Sequence, residues 1–449
     1  KTAYEISLGL VGSEMCIRDS AKIGFDISEK LHLPVMIRTT TRISHMRGIV
    51  EFGSIIKPKL KGNFVKDPSR YVVVPANARR NHRWLLERIE RAREYSENTD
   101  LNKVVEYAGK DPKKGRLGII TSGVSYLHSS EAVELLGYST KILKLGFTHP
   151  LPRKKIVNFL DDVDIVLVVE EIDPIMEREI KAIAYEEELS VKIHGKDVLP
   201  SLYELSTSIV QEALSKILGE STASTTVAEK TDIHIPKRPP VLCPGCPHRA
   251  TYFAVKMALR REKVDPNKAI YPTDIGCYTL GINPPYNMGD LLLCMGSSVG
   301  TANSLAHVTD QPVIAFIGDS TFYHAGIPPL INAVYNKHRI FLVVLDNTVT
   351  AMTGFQANPS SGFTGTQEKT KVIPIEAIGR AIGVDHVDVI DPVMNLREAI
   401  KKLRAAIREY RNGKTVLIVS RSPCALFSLR TRKVTGRGGR YSIDPKKCV

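Results

Sequence analysis

The chain has 449 residues, 43% of them hydrophobic, and a formal net charge of +14. That length suggests about three domains of a globular protein. No apolar stretch approaches the ~20 residues a membrane helix needs, and Leu8–Val11 is too short an apolar core for a secretory leader. The positive charge points to acidic partners or anionic ligands. Without interleaved aromatics or a recognisable module, nucleic-acid binding is not expected. Seven cysteines, an odd number that includes a C-x-x-C pair, argue for a reducing, cytoplasmic setting and metal chemistry rather than a disulfide scaffold.

Residues 1–20 show no clear period. The run Val11–Ser20 resembles translated sequencing adaptor, so this segment is set aside as non-native. Residues 21–56 read as a helix running into a strand at Leu33–Arg38, followed by the polar run Thr39–His45. A polar run after a strand is a common place for substrate contacts. Arg42 is a candidate carboxylate clamp and His45 a candidate proton donor or relay. The alternatives are a surface loop arginine and a hydrogen-bonded histidine. Residues 57–112 are rich in charge, with an exposed amphipathic helix expected at His82–Tyr95 and a connector at Asn98–Lys114.

From Leu117 the elements alternate. Strands are expected at Leu117–Thr121, Thr140–Leu145 and Asp164–Glu170, and helices at Ser130–Leu136, Pro152–Asp161 and Pro174–Glu188. This alternation predicts a compact βαβ domain with a parallel sheet over residues 113–221. Residues 222–240, Ser/Thr-rich and then Lys-Arg-Pro-Pro, read as a linker.

Residues 241–425 carry the chemistry. Cys243-Pro244-Gly245-Cys246 precedes a helix at about Arg249–Arg261. Alone it fits a zinc half-site, a redox disulfide or half of an iron–sulfur site. Cys277 and Cys424 follow apparent strand ends, and four thiolates suit a [4Fe–4S] cluster, although zinc also accepts four. The alternative for Cys424 is a buried core thiol; Cys294 reads as core or pocket lining. His248 faces substrate or caps the helix that follows it. Gly296-Ser297-Ser298 opens a small-residue helix start, which suits either a phosphate or close helix packing. Val313–Ile317 and Ile340–Leu345 read as buried parallel strands, with a helix between them at Ala325–Asn336. A right-handed crossover then brings Asp319 and Asn347 to one crevice, where their oxygens suit Mg²⁺ that also binds a diphosphate.

Gly318-Asp319-Ser320 with Asp346-Asn347 about thirty residues on resembles the metal motif of thiamine diphosphate enzymes. The departures, Ser320 for glycine and Asp346 for asparagine, remove no ligand. The resemblance implies that Asp319 and Asn347 hold Mg²⁺ through side chains and Val349 through its carbonyl, with Met352 and Thr353 at the cofactor. Together with the cysteines, the motifs resemble the 2-oxoacid:ferredoxin oxidoreductases, and among them the large subunit of the indolepyruvate type. It implies an α/β, multidomain, parallel-sheet thiamine diphosphate-binding fold: a pyrimidine-binding remnant with connector at 21–112, a transketolase C-terminal-like domain at 113–221 and the diphosphate-binding domain at 241–425. The implied cofactors are thiamine diphosphate, Mg²⁺ and a [4Fe–4S] cluster on Cys243, Cys246, Cys277 and Cys424. The implied reaction turns an aryl-pyruvate into an aryl-acetyl-CoA, with electrons passed to ferredoxin and a smaller beta subunit as partner. Residues 426–449 resemble the start of a ferredoxin domain, in which Cys448 would be the first ligand. The chain is thus expected to be a fragment, with the family's activating glutamate upstream of it. The competing expectations are a non-oxidative thiamine diphosphate enzyme, of the 2-oxoacid decarboxylase or acetolactate synthase type, and a cofactor-free assembly subunit.

Overall fold

A computed structural model describes residues 14–45, 53, 63–109, 116–219, 236 and 238–431. The expectations for residues 1–13, for most of the linker and for Cys448 therefore lie outside the described residues. The chain divides into two compact units, Lys1–Asp232 and Ile233–Val449, so the boundary expected at 112–113 falls inside the first of them.

The first unit begins with helices α1 (Glu14–Leu31), α2 (Thr41–His45) and α3 (Pro75–Asn98). It continues through β1 (Asn102–Tyr107), β2 (Leu117–Ser122), α4 (Ser125–Leu136), β3 (Thr140–Leu145), α5 (Arg153–Asp161), β4 (Ile165–Val169), α6 (Ile175–Glu186), β5 (Lys192–His194) and α7 (Thr207–Leu218). The sheet order is β1-β3-β2-β4-β5, parallel except for the edge strand β1. The two central strands are buried along almost their whole length, as apolar runs covered on both faces should be. Helices α4 and α7 cover one face, and α5 and α6 cover the other. A small core of Ile27, Leu31, Ala92 and Leu101 ties α1 and α3 to this domain.

Several expectations change here. The stretch Leu33–Arg38, expected as a strand, has no ladder partner among the described residues, and a strand needs that ladder. The polar run after it closes into the single turn of α2. The expected connector holds β1, whose alternating burial is that of an edge strand packed on one face only. Helix α3 begins at Pro75, a residue whose fixed φ and missing N–H suit a helix start. Among the described residues, no helix is long and apolar enough to cross a membrane.

The second unit contains α8 (Pro247–Arg261), α9 (Ser297–Val308), β6 (Ile314–Gly318), α10 (Ile327–Tyr335), β7 (Phe341–Asp346), α11 (Ile375–Ile382), β8 (His386–Ile390), α12 (Leu396–Arg411), β9 (Val416–Arg421) and α13 (Ala425–Thr431). The expected helix from Ala325 starts two residues later, after a π turn at Phe322–Gly326, and Pro328 and Pro329 sit in its first turn. The sheet order is β6-β7-β9-β8, all parallel. Beyond β6 the chain at Ile270 and Pro272 continues the layer: Ile314 N–H donates to the Ile270 carbonyl and Phe316 N–H to that of Pro272, both at 2.9 Å. Every residue of β6 and β7 is buried. Helices α8 and α12 pack on one face and α9, α10 and α11 on the other. Because the strands run the same way, the segments that follow Pro272, β6, β7 and β9 all leave from one edge. Those segments carry Asp274 and Cys277, Asp319, Asn347, and Cys424.

Candidate functional site

Pairing of Gly318 with Leu345 puts Asp319 and Asp346 one step beyond the same rung of the β6–β7 ladder. Asp319 is 4% exposed. Its Oδ1 accepts the Ser320 N–H at 2.7 Å, and its Oδ2 accepts the Ser360 hydroxyl at 3.2 Å. Burial above all, then the charge of Asp346, pushes its carboxyl up to about 7. No Lys or Arg pairs with it among the described residues. The Asn358 amide lies beside the same carboxylate but short of hydrogen-bond geometry, so its Nδ2 is buried without a partner. A buried carboxylate without a cation and a buried donor without an acceptor are the two complements a metal–diphosphate pair would fill.

Asp346 is compensated differently. Its Oδ2 accepts Arg421 Nε at 2.7 Å, and the other end of that guanidinium holds both oxygens of Glu376. Next to it, Asn347 is buried. Its Oδ1 accepts the Val349 N–H at 3.3 Å, a return made possible by Thr348 at φ 64°. Its Nδ2 faces His248 Nε2 at 3.3 Å. His248 is 3% exposed and packs edge-on against Tyr278. It therefore neither caps α8 nor stands open to solvent, and burial lowers its pKa to about 4. Thr353 and Met352 are exposed on the following loop, where the Thr353 hydroxyl donates to Gln356 Oε1 at 2.6 Å.

The start of α9 differs from the phosphate expectation for Gly296, Ser297 and Ser298. The fully buried Asp274 accepts the Ser298 N–H at 2.7 Å and the Ser298 hydroxyl at 2.6 Å. A carboxylate of the chain thus takes the place an external anion would want. Gly296 has φ 97°, and a Cβ built on it would lie 2.4 Å from Ala325 Cβ. At Gly296 the missing side chain allows this close approach.

Cys243, Cys246, Cys277, Cys294 and Cys424 are free thiols. The Cys243–Cys246 turn closes through Cys246 N–H to the Cys243 carbonyl at 3.1 Å, with Gly245 at φ 72°. A Cβ on Gly245 would touch Ala425, the neighbour of Cys424, at 3.7 Å. Burial first, then the nearby sulfurs of Cys424 and Cys243, raises the Cys277 thiol. Burial first, with Cys277 and Cys243 adding to it, pushes Cys246 up to about 11. The Cys424 N–H donates to the Asn347 carbonyl at 3.1 Å, which ties the segment after β9 to the one after β7. Among the described residues, no three His, Cys, Asp or Glu side chains are grouped as a single-ion site. Cys294 is exposed, not core.

Arg42 and His45 belong to the first unit. Arg42 pairs with Glu204, Nε to Oε2 at 2.9 Å, on an exposed surface. His45 Nδ1 meets the Thr41 carbonyl of its own helix at 2.7 Å. Sequence reading missed Asn358, Ser360, Asp274 and Arg421. Asn358-Pro359-Ser360 carried only a turn signal, and the other two are single charges that tertiary pairing alone makes significant.

Residues 274–419 match the family described as "Thiamine pyrophosphate enzyme, C-terminal TPP binding domain", and residues 107–235 match "Indolepyruvate oxidoreductase domain". Relatives named "Indolepyruvate oxidoreductase subunit IorA" include that of Methanothermobacter thermautotrophicus, 44% identical over 94% of this chain and 66% of the relative. Those of Archaeoglobus fulgidus (41%; 95% and 67%) and Pyrococcus horikoshii (39%; 96% and 68%) are similar in extent. The chain thus spans about two thirds of the length of these relatives. Among solved structures, a 2-oxoglutarate:ferredoxin oxidoreductase from Magnetococcus marinus aligns at 16% identity over 42% of this chain and 66% of that one. Its TM-score of 0.37 is too low to carry weight. The identity to the IorA proteins, sustained over nearly the whole chain, is of another order: this chain belongs to the indolepyruvate oxidoreductase subunit IorA family.

Proposed function

We propose that this chain is the cofactor-binding part of an enzyme that oxidatively decarboxylates an aryl-pyruvate of the indolepyruvate type to an aryl-acetyl-CoA, passing electrons to ferredoxin. The smaller beta subunit would complete the enzyme, in a cytoplasmic setting. The observation that supports this reading is Asp319, buried without a cation partner among the described residues, at the end of a strand whose neighbour ends in Asp346-Asn347. Asp319, Asn347 and the Val349 carbonyl would hold Mg²⁺, and the unpaired Asn358 amide suits an oxygen of the diphosphate. Cys243, Cys246, Cys277 and Cys424 would hold the cluster; burial that disfavours free thiolates is offset when iron binds them. When bound, thiamine diphosphate supplies the electron sink for decarboxylation and the cluster a single-electron outlet. The protein's own part is to keep these groups dry, aligned and close together.

Anaerobic measurement of iron, sulfide and thiamine diphosphate on the purified chain tests this. Asp319→Ala should abolish Mg²⁺-dependent cofactor binding, and Cys243→Ser should lower iron by about one cluster while the fold persists. Unchanged cofactor affinity removes the metal assignment. A colourless protein that binds thiamine diphosphate supports the non-oxidative alternative.

A further inference from the structure

We propose that His248 is a positioning residue for Asn347: its Nε2 accepts an N–H of the carboxamide and so presents the amide oxygen, not the nitrogen, toward Asp319. This rests on the proposed metal site. A carboxamide has two nearly isosteric ends, and only one of them binds a cation. Two contacts choose between them. On one side the Val349 N–H, a fixed donor, points at Oδ1 from 3.3 Å. On the other side His248 Nε2 lies 3.3 Å from Nδ2. Reversing the amide would set donor against donor at Val349 and oxygen against the imidazole lone pair.

The imidazole is well placed to hold this choice. It sits in the first turn of α8, two residues after Cys246, and is 3% exposed. The ring is braced edge-on by Tyr278, with centroids 6.1 Å apart at 88°. The Asn347 main chain is pinned separately, its carbonyl accepting the Cys424 N–H at 3.1 Å. An acceptor Nε2 requires the proton on Nδ1. His248 therefore acts through Asn347 and needs no contact with substrate.

The test uses Mg²⁺ titrations of thiamine diphosphate binding to the full chain, followed by near-UV circular dichroism with the cofactor in excess. His248→Phe keeps a ring against Tyr278 but removes the acceptor. It should raise the Mg²⁺ midpoint about tenfold or more, the usual effect of losing a partner that orients a metal ligand. His248→Gln, which restores an acceptor near the Nε2 position, should recover most of that loss. A Phe variant with the wild-type midpoint overturns the inference. So does a Gln variant as impaired as Phe. Should the variants fold poorly, ¹⁵N-histidine spectra of the wild-type chain decide: a proton on Nδ1 of His248 is required, and one on Nε2 refutes the role. Binding that is Mg²⁺-independent in the wild type, and unaltered in Asp319→Ala, sinks the metal site itself. A Mg²⁺-dependent wild type with an unaffected Phe variant sinks only this inference.

Discussion

Arg421→Met isolates the electrostatics behind the site. The Asp346 side chain is fully buried, and the guanidinium at 2.7 Å is its only ion-pair partner among the described residues. Without Arg421 that carboxylate would keep the Thr348 N–H at 3.2 Å, and Glu376 would lose its partner too. Removing one member of a buried pair costs about 3–5 kcal/mol. Arg421 is a third exposed, so water has partly screened the pair already and the lower end, about 3 kcal/mol, applies. For a unit of this size each kcal/mol shifts the melting midpoint by about 2–4 °C, so the second unit should melt about 6–12 °C lower. Asp346→Asn in the same chain removes the stranded charge and should recover part of the loss. Calorimetry of wild type, both single variants and the double variant closes the cycle. A drop below about 2 °C for Arg421→Met refutes the reasoning. A double variant that melts no higher than Arg421→Met refutes it equally.

Other consequences follow from the same packing. Gly296→Ala forces a side chain into φ 97° and against Ala325, and should cost about 1–3 kcal/mol, with Ala325→Gly restoring part of the melting temperature. Glu262 is clamped by Arg408 and Arg404, whose hydrogen bonds hold its carboxyl down to about 2. A lowered folded pKa means stability that is present above the unfolded value near 4.5 and lost as pH falls toward 2. Glu262→Gln should therefore be less stable than wild type at neutral pH, and the gap should close in acid denaturation between pH 4.5 and 2. A constant gap across that range removes the clamp.

How much was legible in advance depended on the length scale of the signal. β6 and β7 were readable because a strand buried on both faces must be a continuous apolar run, and Gly318-Asp319 and Asp346-Asn347 stand at their ends. The cysteines were readable as residue types. By contrast, Leu33–Arg38 has strand composition, yet composition supplies no ladder partner. The start of α9 has the small residues of a phosphate cradle, but Asp274, 24 positions upstream of Ser298, fills it.

That β6 and β7 are buried parallel strands whose following loops leave from one edge follows from local patterns of burial and punctuation that the amino-acid sequence carries in itself. Which charge meets which does not, because pairing energies depend on distances across the fold rather than along the chain. Arg421 neutralises Asp346 from 75 positions away, while its neighbour on the next strand, Asp319, is left uncompensated. Folding alone decided that difference, and left Asp319 buried without a cation partner among the described residues.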